Sequence, residues 1–394
     1  MKSALSNSYN LLTKENRLTV GYFGGSITCG GSSKHIIENG QKVPEKQGTI
    51  ANSYVNRTSA WIKEMFPNAN VETVNSGVSG THSQLGLYRL ESTLMNAEGH
   101  KIPDLVFIEF TSNDWVYGEH SVEIIKAEVE SLVINIRKIN PFADIVILAT
   151  NTMDIEKLPK KQAHKDVADH YGLLFVDVGK ALQHCKNTDP ESAPKESADT
   201  HTLKYTADDL HPSALGFAVY MQEIKDKLTP HFDGQNCEDG MIDHTKSAPK
   251  PLSAEVYTPH IISVEQMKLP ENAEVTEEPL SIPLHGILFD ENYHYPVVGN
   301  RLILKKNETV SADFEGSTLG VLIEMQRRVD LELRYSIDGG EWLEFNINDS
   351  CLSFERGRLH TQAYFLKAGL SEGTHTVTLK SVSETPLFLG ALLA

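Results

Sequence analysis

The stretch Leu18-Thr19-Val20-Gly21-Tyr22-Phe23-Gly24-Gly25-Ser26 is a short apolar run that stops at two glycines and a serine. It reads as a buried strand followed by a tight turn. Tyr54 to Phe66 has apolar residues at helical spacing and stops at Pro67. Val71–Val74 predicts a second strand, Leu85–Leu94 a helix, and the run Asp104–Phe110 (DLVFIEF) a third strand. Glu123–Ile139 is a long amphipathic helix ended by Asn140-Pro141. Ile145–Ala149 and Leu173–Val178 are two more strands around a polar helix, and Pro212–Leu228 is a closing helix that starts at Pro212. Five strands alternating with helices predict a three-layer α/β/α domain around a parallel sheet buried on both faces. In such sheets ligands bind beyond the carboxyl ends of the strands.

The chain has 394 residues, which favours two domains over one. The pattern changes after about residue 232. Residues 233–260 are polar and irregular, a linker or an extended wrap. From 261 to 394 helical periodicity gives way to short strand candidates: Arg301–Leu304, Thr309–Phe314, Leu319–Met325, Asp330–Ile337, Trp342–Ile347, His360–Leu366, Thr374–Leu379 and Pro386–Leu393. Asp338-Gly339-Gly340 between two of them is a hairpin signal. Such spacing predicts a β-sandwich of jelly-roll type. The expected domains are therefore 1–232 and 261–394.

A formal net charge of −17 argues against nucleic acid or anionic membrane as partners. The cysteines, Cys29, Cys185, Cys237 and Cys351, lie far apart and form neither a zinc motif nor a disulfide framework. Met1–Arg17 contains no apolar run resembling a signal segment, and no stretch approaches the ~20 apolar residues of a membrane span. A cytoplasmic protein with reduced thiols is expected, without metal or cofactor. The oligomeric state is left open.

Acyl transfer by a serine needs an exposed hydroxyl on a rigid turn, a base within reach, and donors facing the developing oxyanion. Ser26 after Gly24-Gly25 supplies the first, with glycines that allow a sharp turn and close approach of substrate. Thr28 stands where the G-x-S-x-G elbow needs its last glycine, so that elbow is excluded. Asp208-Asp209-Leu210-His211-Pro212 supplies the second. Asp208 can fold round to His211 and fix its tautomer, while Asp209 is a candidate cap for the helix. The third comes from two segments, Asn75-Ser-Gly-Val-Ser-Gly80 after the second strand and Thr111-Ser-Asn-Asp114 after the third. Each alone is an ordinary turn; together they fall at successive strand ends.

In that order, these four segments resemble the SGNH (GDSL-like) hydrolase family over roughly residues 18–230. The resemblance implies a flavodoxin-like domain with a five-stranded sheet. It also implies Ser26 as nucleophile, His211 and Asp208 as base and orienting carboxylate, and an oxyanion hole of Ser26, Gly80 and Asn113. Gly25 and Trp115 become candidate substrate contacts. Two departures stand out: Gly25 replaces the usual Asp before the serine, a variant associated with carbohydrate esterases, and Ser112 replaces the usual Gly before Asn113.

The second domain is similar, by strand pattern alone, to jelly-roll modules that accompany such esterases. The pairing implies an enzyme that removes O-acetyl groups from oligo- or polysaccharides. The alternatives are a lysophospholipase or thioesterase, and a catalytically idle glycan-binding protein. Trp342, Tyr335, Tyr293 and Tyr295 are candidates for stacking on sugars, against an ordinary role in the sandwich core. Arg89 reads as a salt-bridge residue on the helix after Gly80.

Overall fold

The first strand runs Arg17–Gly24 (β1), and every residue after Arg17 is buried. It lies inside a five-stranded, all-parallel sheet, so both of its faces are covered. The computed structural model describes residues 3–30, 35–38, 41–44, 52–78, 80–116, 121–150, 159–189, 205–206, 210–276, 300–326, 331–347 and 359–394. These fall into two compact units that divide between Val256 and Tyr257.

The first unit opens with a short helix, α1 (Ser6–Asn10), then β1 and a one-turn helix, α2 (Ser26–Cys29). A hairpin of β2 (His35–Glu38) and β3 (Gln41–Pro44) follows. Next come α3 (Tyr54–Met65), β4 (Asn70–Gly77), α4 (Ser83–Leu90), β5 (Leu105–Glu109), α5 (Thr111–Val116) and α6 (Val122–Ile139). The last elements are β6 (Asp144–Leu148), α7 (Pro159–Tyr171), β7 (Leu174–Val176), α8 (Val178–Thr188) and α9 (Ala214–Leu228).

The sheet order is β4-β1-β5-β6-β7. The chain leaves β1 toward one edge and returns to build on its other side, which makes the β1/β5 boundary the switch point where such sheets bind ligands. Alternate residues of the strands feed opposite cores. Val20 and Tyr22 of β1, Phe107 of β5 and Val146 of β6 pack with α3, α8 and α9. Phe23 turns the other way, edge-on to Phe110 and toward α4. Helix ends follow local rules: Ser53 and Ser121 accept from the backbone N–H three residues on, capping α3 and α6.

Residues 233–256 belong to the first unit, where they lie against the N-terminal segment. The buried Asn7 amide donates to the carbonyls of Phe142 and Ile242, both at 2.8 Å, and accepts from the Ile242 N–H at 2.6 Å. Asn10 donates to the carbonyls of Glu238 and Gly240. Asp144, also buried, accepts from the Ser8 N–H and hydroxyl and meets His244. An irregular segment has backbone groups that need partners, and these side chains supply them.

The second unit is a sandwich of two antiparallel sheets. One holds β8 (Ile261–Ser263), β9 (Glu274–Thr276), β10 (Arg301–Leu304), β12 (Leu319–Gln326), β15 (Leu359–Lys367) and β17 (Leu387–Leu393). The other, in the order β11-β16-β13-β14, holds β11 (Thr309–Glu315), β13 (Leu331–Ile337), β14 (Leu343–Ile347) and β16 (Thr374–Ser381). Residues alternate in burial along β11 and β16, as strands with one face inward do. Val310, Ala312, Phe314, Val377 and Leu379 point into a core shared with Leu302, Val321 and Leu389. Tyr335 belongs to that core and donates to the Leu366 carbonyl at 2.6 Å, whereas Trp342 is 48% exposed. Tyr293 and Tyr295 lie outside the described residues.

Among the described residues, no helix is long and apolar enough to cross a membrane.

Candidate active site

Three strands finish level with one another. Gly24, the last residue of β1, pairs with Gly77, the last of β4, and with Glu109, the last of β5. The segments that follow start from one rim: Ser26 comes two residues after Gly24, Gly80 three after Gly77, and Asn113 four after Glu109. The rim is tied across by Val78, whose N–H donates to the Gly24 carbonyl at 2.9 Å. Gly80 has φ 73°, in the left-handed region that glycine occupies without a steric cost.

Ser26 opens α2 with Gly25 before it in a non-helical conformation. The Asn113 side chain packs directly against Gly25, where a Cβ would stand 2.4 Å from its Oδ1. That contact accounts for the second glycine of Gly-Gly-Ser, since a side chain at position 25 would displace the amide. His211 precedes α9, but the helix begins at Ala214 rather than at Pro212. Ser213 is its cap, in extended backbone with its hydroxyl accepting from the Gly216 N–H at 3.1 Å. His211 thus stands on the approach to the helix, held by the Thr206–Pro212 bridge and the Ser213 N–H bond to Tyr205.

The Ser26 Oγ and His211 Nε2 are 2.7 Å apart. They meet across 185 residues of chain. Ser26, His211 and Asn113 are all buried, with only 5–7% of each exposed. Asp208 and Asp209 lie outside the described residues, as does the side chain of Trp115 on α5.

Sequence reading missed the buried charged groups beneath the rim. Glu109 is fully buried and accepts from Thr28 Oγ1 at 2.8 Å and Thr150 Oγ1 at 2.5 Å. Burial pushes its carboxyl above the usual carboxylate range, against the pull of these hydrogen bonds. The one signal is a carboxylate, Glu109, inside the apolar run that follows Asp104. Arg89 is also fully buried; it donates to the Gly24 and Ser76 carbonyls, both at 2.7 Å, and stacks on Phe23. It therefore ties the ends of β1 and β4 together beneath the rim. Asp114, next to Asn113, meets His164 Nε2 at 2.8 Å and accepts from the Ser83 N–H and hydroxyl. Burial would raise the Asp114 carboxyl, but the bond to His164 and the Ser83 N–H outweigh it and hold it below the usual range.

Cys29 lies three residues after the serine, and burial pushes its thiol up to about 12, with Arg89 opposing. A neutral thiol does not compete as a nucleophile. Among the described residues, no group of three or more His, Cys, Asp or Glu could hold a metal ion. A groove of about 1280 Å³ beside β7 is lined by Lys161, Phe175, Asp177, Lys180 and Val219 among others, and by none of the residues above.

The sequence model of the GDSL-like lipase/acylhydrolase family matches residues 22–219, half of the chain. This chain belongs to that family. Membership makes it a carboxylic ester hydrolase, and the matched span contains all the segments described here. Comparison with curated proteins gave no match. Among solved structures, a two-domain esterase active on acetylated mannans aligns over 100% of this chain and 97% of its own, at 20% identity and TM-score 0.70. The same esterase co-crystallized with mannopentaose aligns over 100% and 95%, again at 20% identity and TM-score 0.70. A putative GDSL-like lipase from Parabacteroides merdae aligns over 54% of this chain and 95% of its own, at 16% identity and TM-score 0.42. The first two share the two-domain architecture of this acylhydrolase.

Proposed function

We propose that this acylhydrolase removes O-acetyl groups from oligo- or polysaccharides through an acyl-enzyme on Ser26. The observation that carries the reading is the 2.7 Å contact between Ser26 Oγ and His211 Nε2 on the rim shared with Asn113. At that distance Nε2 takes the serine proton as Oγ attacks the ester carbonyl. The developing oxyanion is met by the Ser26 N–H, the Gly80 N–H and the Asn113 side-chain amide. His211 then gives its proton to the departing sugar hydroxyl, leaving acetyl on Ser26. Water, deprotonated by His211, attacks the acetyl carbonyl; the bond to Ser26 Oγ breaks, His211 returns the proton to that oxygen, and acetate is released. Asp208, three residues before His211, orients the ring and stabilises the imidazolium that forms twice in each cycle.

The choice of an acetylated carbohydrate is prompted by the two-domain esterase active on acetylated mannans, which aligns over the whole chain. The test is mass spectrometry of acetylated oligosaccharides with different backbones, incubated with the protein and with Ser26→Ala. Loss of one or more acetyl masses from at least one backbone, absent with Ser26→Ala, is the expected result. Retention of every acetyl, combined with faster cleavage of long acyl esters than of acetate esters, would overturn the carbohydrate reading in favour of a lipid or thioester substrate.

A further inference from the structure

The carbonyl of Gly24 and the N–H of Gly25 belong to one planar peptide unit, and each end of that unit meets a different buried ionisable side chain. Arg89 Nη2 donates to the carbonyl at 2.7 Å. The N–H points at Glu109 Oε2, 3.3 Å away, and is shared with the Glu109 carbonyl at the same distance. We propose that Arg89 and Glu109 form a clamp on the Gly24–Gly25 peptide, and that both are positioning residues for the nucleophile and for the oxyanion donor beside it. The proposal rests on the assignment of Ser26 as nucleophile.

A clamp is needed because two glycines in succession have the widest conformational freedom a chain can have. A peptide plane fixed at both ends cannot rotate about the bonds that flank it. Its orientation sets the next one, the Gly25–Ser26 peptide, whose N–H is a proposed oxyanion donor. A cation on the carbonyl and a carboxyl group on the N–H also match the direction of the peptide dipole, and charge-assisted hydrogen bonds are the stronger kind.

Burying these groups is costly unless they are well bonded, and their remaining bonds extend the clamp to the other donors. Arg89 also donates to the Ser76 carbonyl at 2.7 Å and to Thr81 Oγ1 at 3.3 Å, beside Gly80. Glu109 accepts from Thr150 Oγ1, which pairs with Ser112 Oγ at 3.0 Å, next to Asn113. It also holds Thr28 in the turn of helix that carries Ser26. The clamp thus couples all three segments of the oxyanion hole. Neither side chain needs to touch substrate for this.

The experiment compares wild type, R89M, E109Q and the double variant on 4-nitrophenyl acetate, with thermal melting of each. The expected result is a fall in kcat of about 10- to 100-fold for each single variant with KM nearly unchanged, the pattern of lost transition-state stabilisation. The double variant should lose less than the product of the two, because both act on one peptide. A lowered melting temperature with kcat unchanged in both single variants would overturn the proposal and leave only a structural role. If R89M or E109Q fails to fold, R89K and E109D take their places under the same criteria. Absence of ester hydrolysis by wild type would count against the functional reading alone. In that case crystal structures of the variants decide the clamp: a rotated Gly24–Gly25 peptide supports it, and an unmoved one refutes it.

Discussion

Gly25 and the Asn113 amide occupy one another's space: a Cβ at position 25 would fall 2.4 Å from Asn113 Oδ1 and 2.9 Å from its Cγ. No real contact is that short, so Gly25→Ala must displace the amide. Removing an oxyanion donor costs about 10²–10³ in turnover. Gly25→Ala should therefore approach Asn113→Ala in kcat on 4-nitrophenyl acetate, and the double variant should be little worse than either. A fully active Gly25→Ala would show that Asn113 gives nothing to the oxyanion.

Ser26→Ala and His211→Ala should each lower kcat by a factor on the order of 10⁴ or more, with no further loss when combined. Groups that act as one unit fail as one unit. Additive losses in the double variant would separate the histidine from the serine chemistry despite their contact.

Asn7, in a buried position, links the N-terminal segment to Ile242 of residues 233–256 through two hydrogen bonds and to the Phe142 carbonyl through a third. Asn7→Ala leaves two carbonyls and one N–H without that partner, each unsatisfied group costing about 1–3 kcal/mol. The first unit should unfold at lower urea, and limited proteolysis should cut earlier within 233–256. Unchanged proteolysis there would mean that the segment is held mainly by other contacts.

The pair of His375, on β16, and Asp338, in the turn after β13, gives the sandwich a pH signature. The Ser371 carbonyl first, and then Asp338, raise the His375 pKa, while His375 and the Thr376 N–H lower that of Asp338. A raised histidine adds stability below its unfolded pKa of about 6.5 and loses it as pH rises through the native value. A lowered carboxylate adds stability above about 3.9 and loses it as pH falls through its native value. The pair therefore contributes fully between about pH 4 and 6.5. Asp338→Asn suits the left-handed backbone at φ 54° and tests this. The gap in melting temperature to wild type should be widest in that interval and narrow toward alkaline pH. A gap independent of pH would assign the whole effect to the Thr376 bond.

The sequence revealed most where a pattern repeats. β1, β5 and the strands of the sandwich stood out because a buried strand is a run of apolar residues, or an alternation of them, with turn residues at its ends. Ser26, Asn113 and His211 stood out because each follows such an end or precedes a helix. The short strands Ile261–Ser263 and Glu274–Thr276 were missed, since three residues carry no period. The start of α9 was misplaced because Pro212 and Ser213 both suit a helix start, and only the hydroxyl bond to Gly216 decides between them. The roles of Arg89 and Glu109 were out of reach for another reason. Their partners are backbone atoms of Gly24, Gly25 and Ser76, and a carbonyl or N–H has no letter of its own in a sequence.

The ladder that aligns Gly24 with both Gly77 and Glu109 has a consequence for which changes the chain can tolerate. Deleting one residue within β4 or β5 would pull the following loop back by about 3.3 Å and turn its side chains to the opposite face of the sheet. Apart from Glu109, substitutions along these strands need only preserve bulk, but their length is fixed. Insertions and tags belong at the opposite end of the sheet, where the loops lead away from the rim and added residues leave the donors in place.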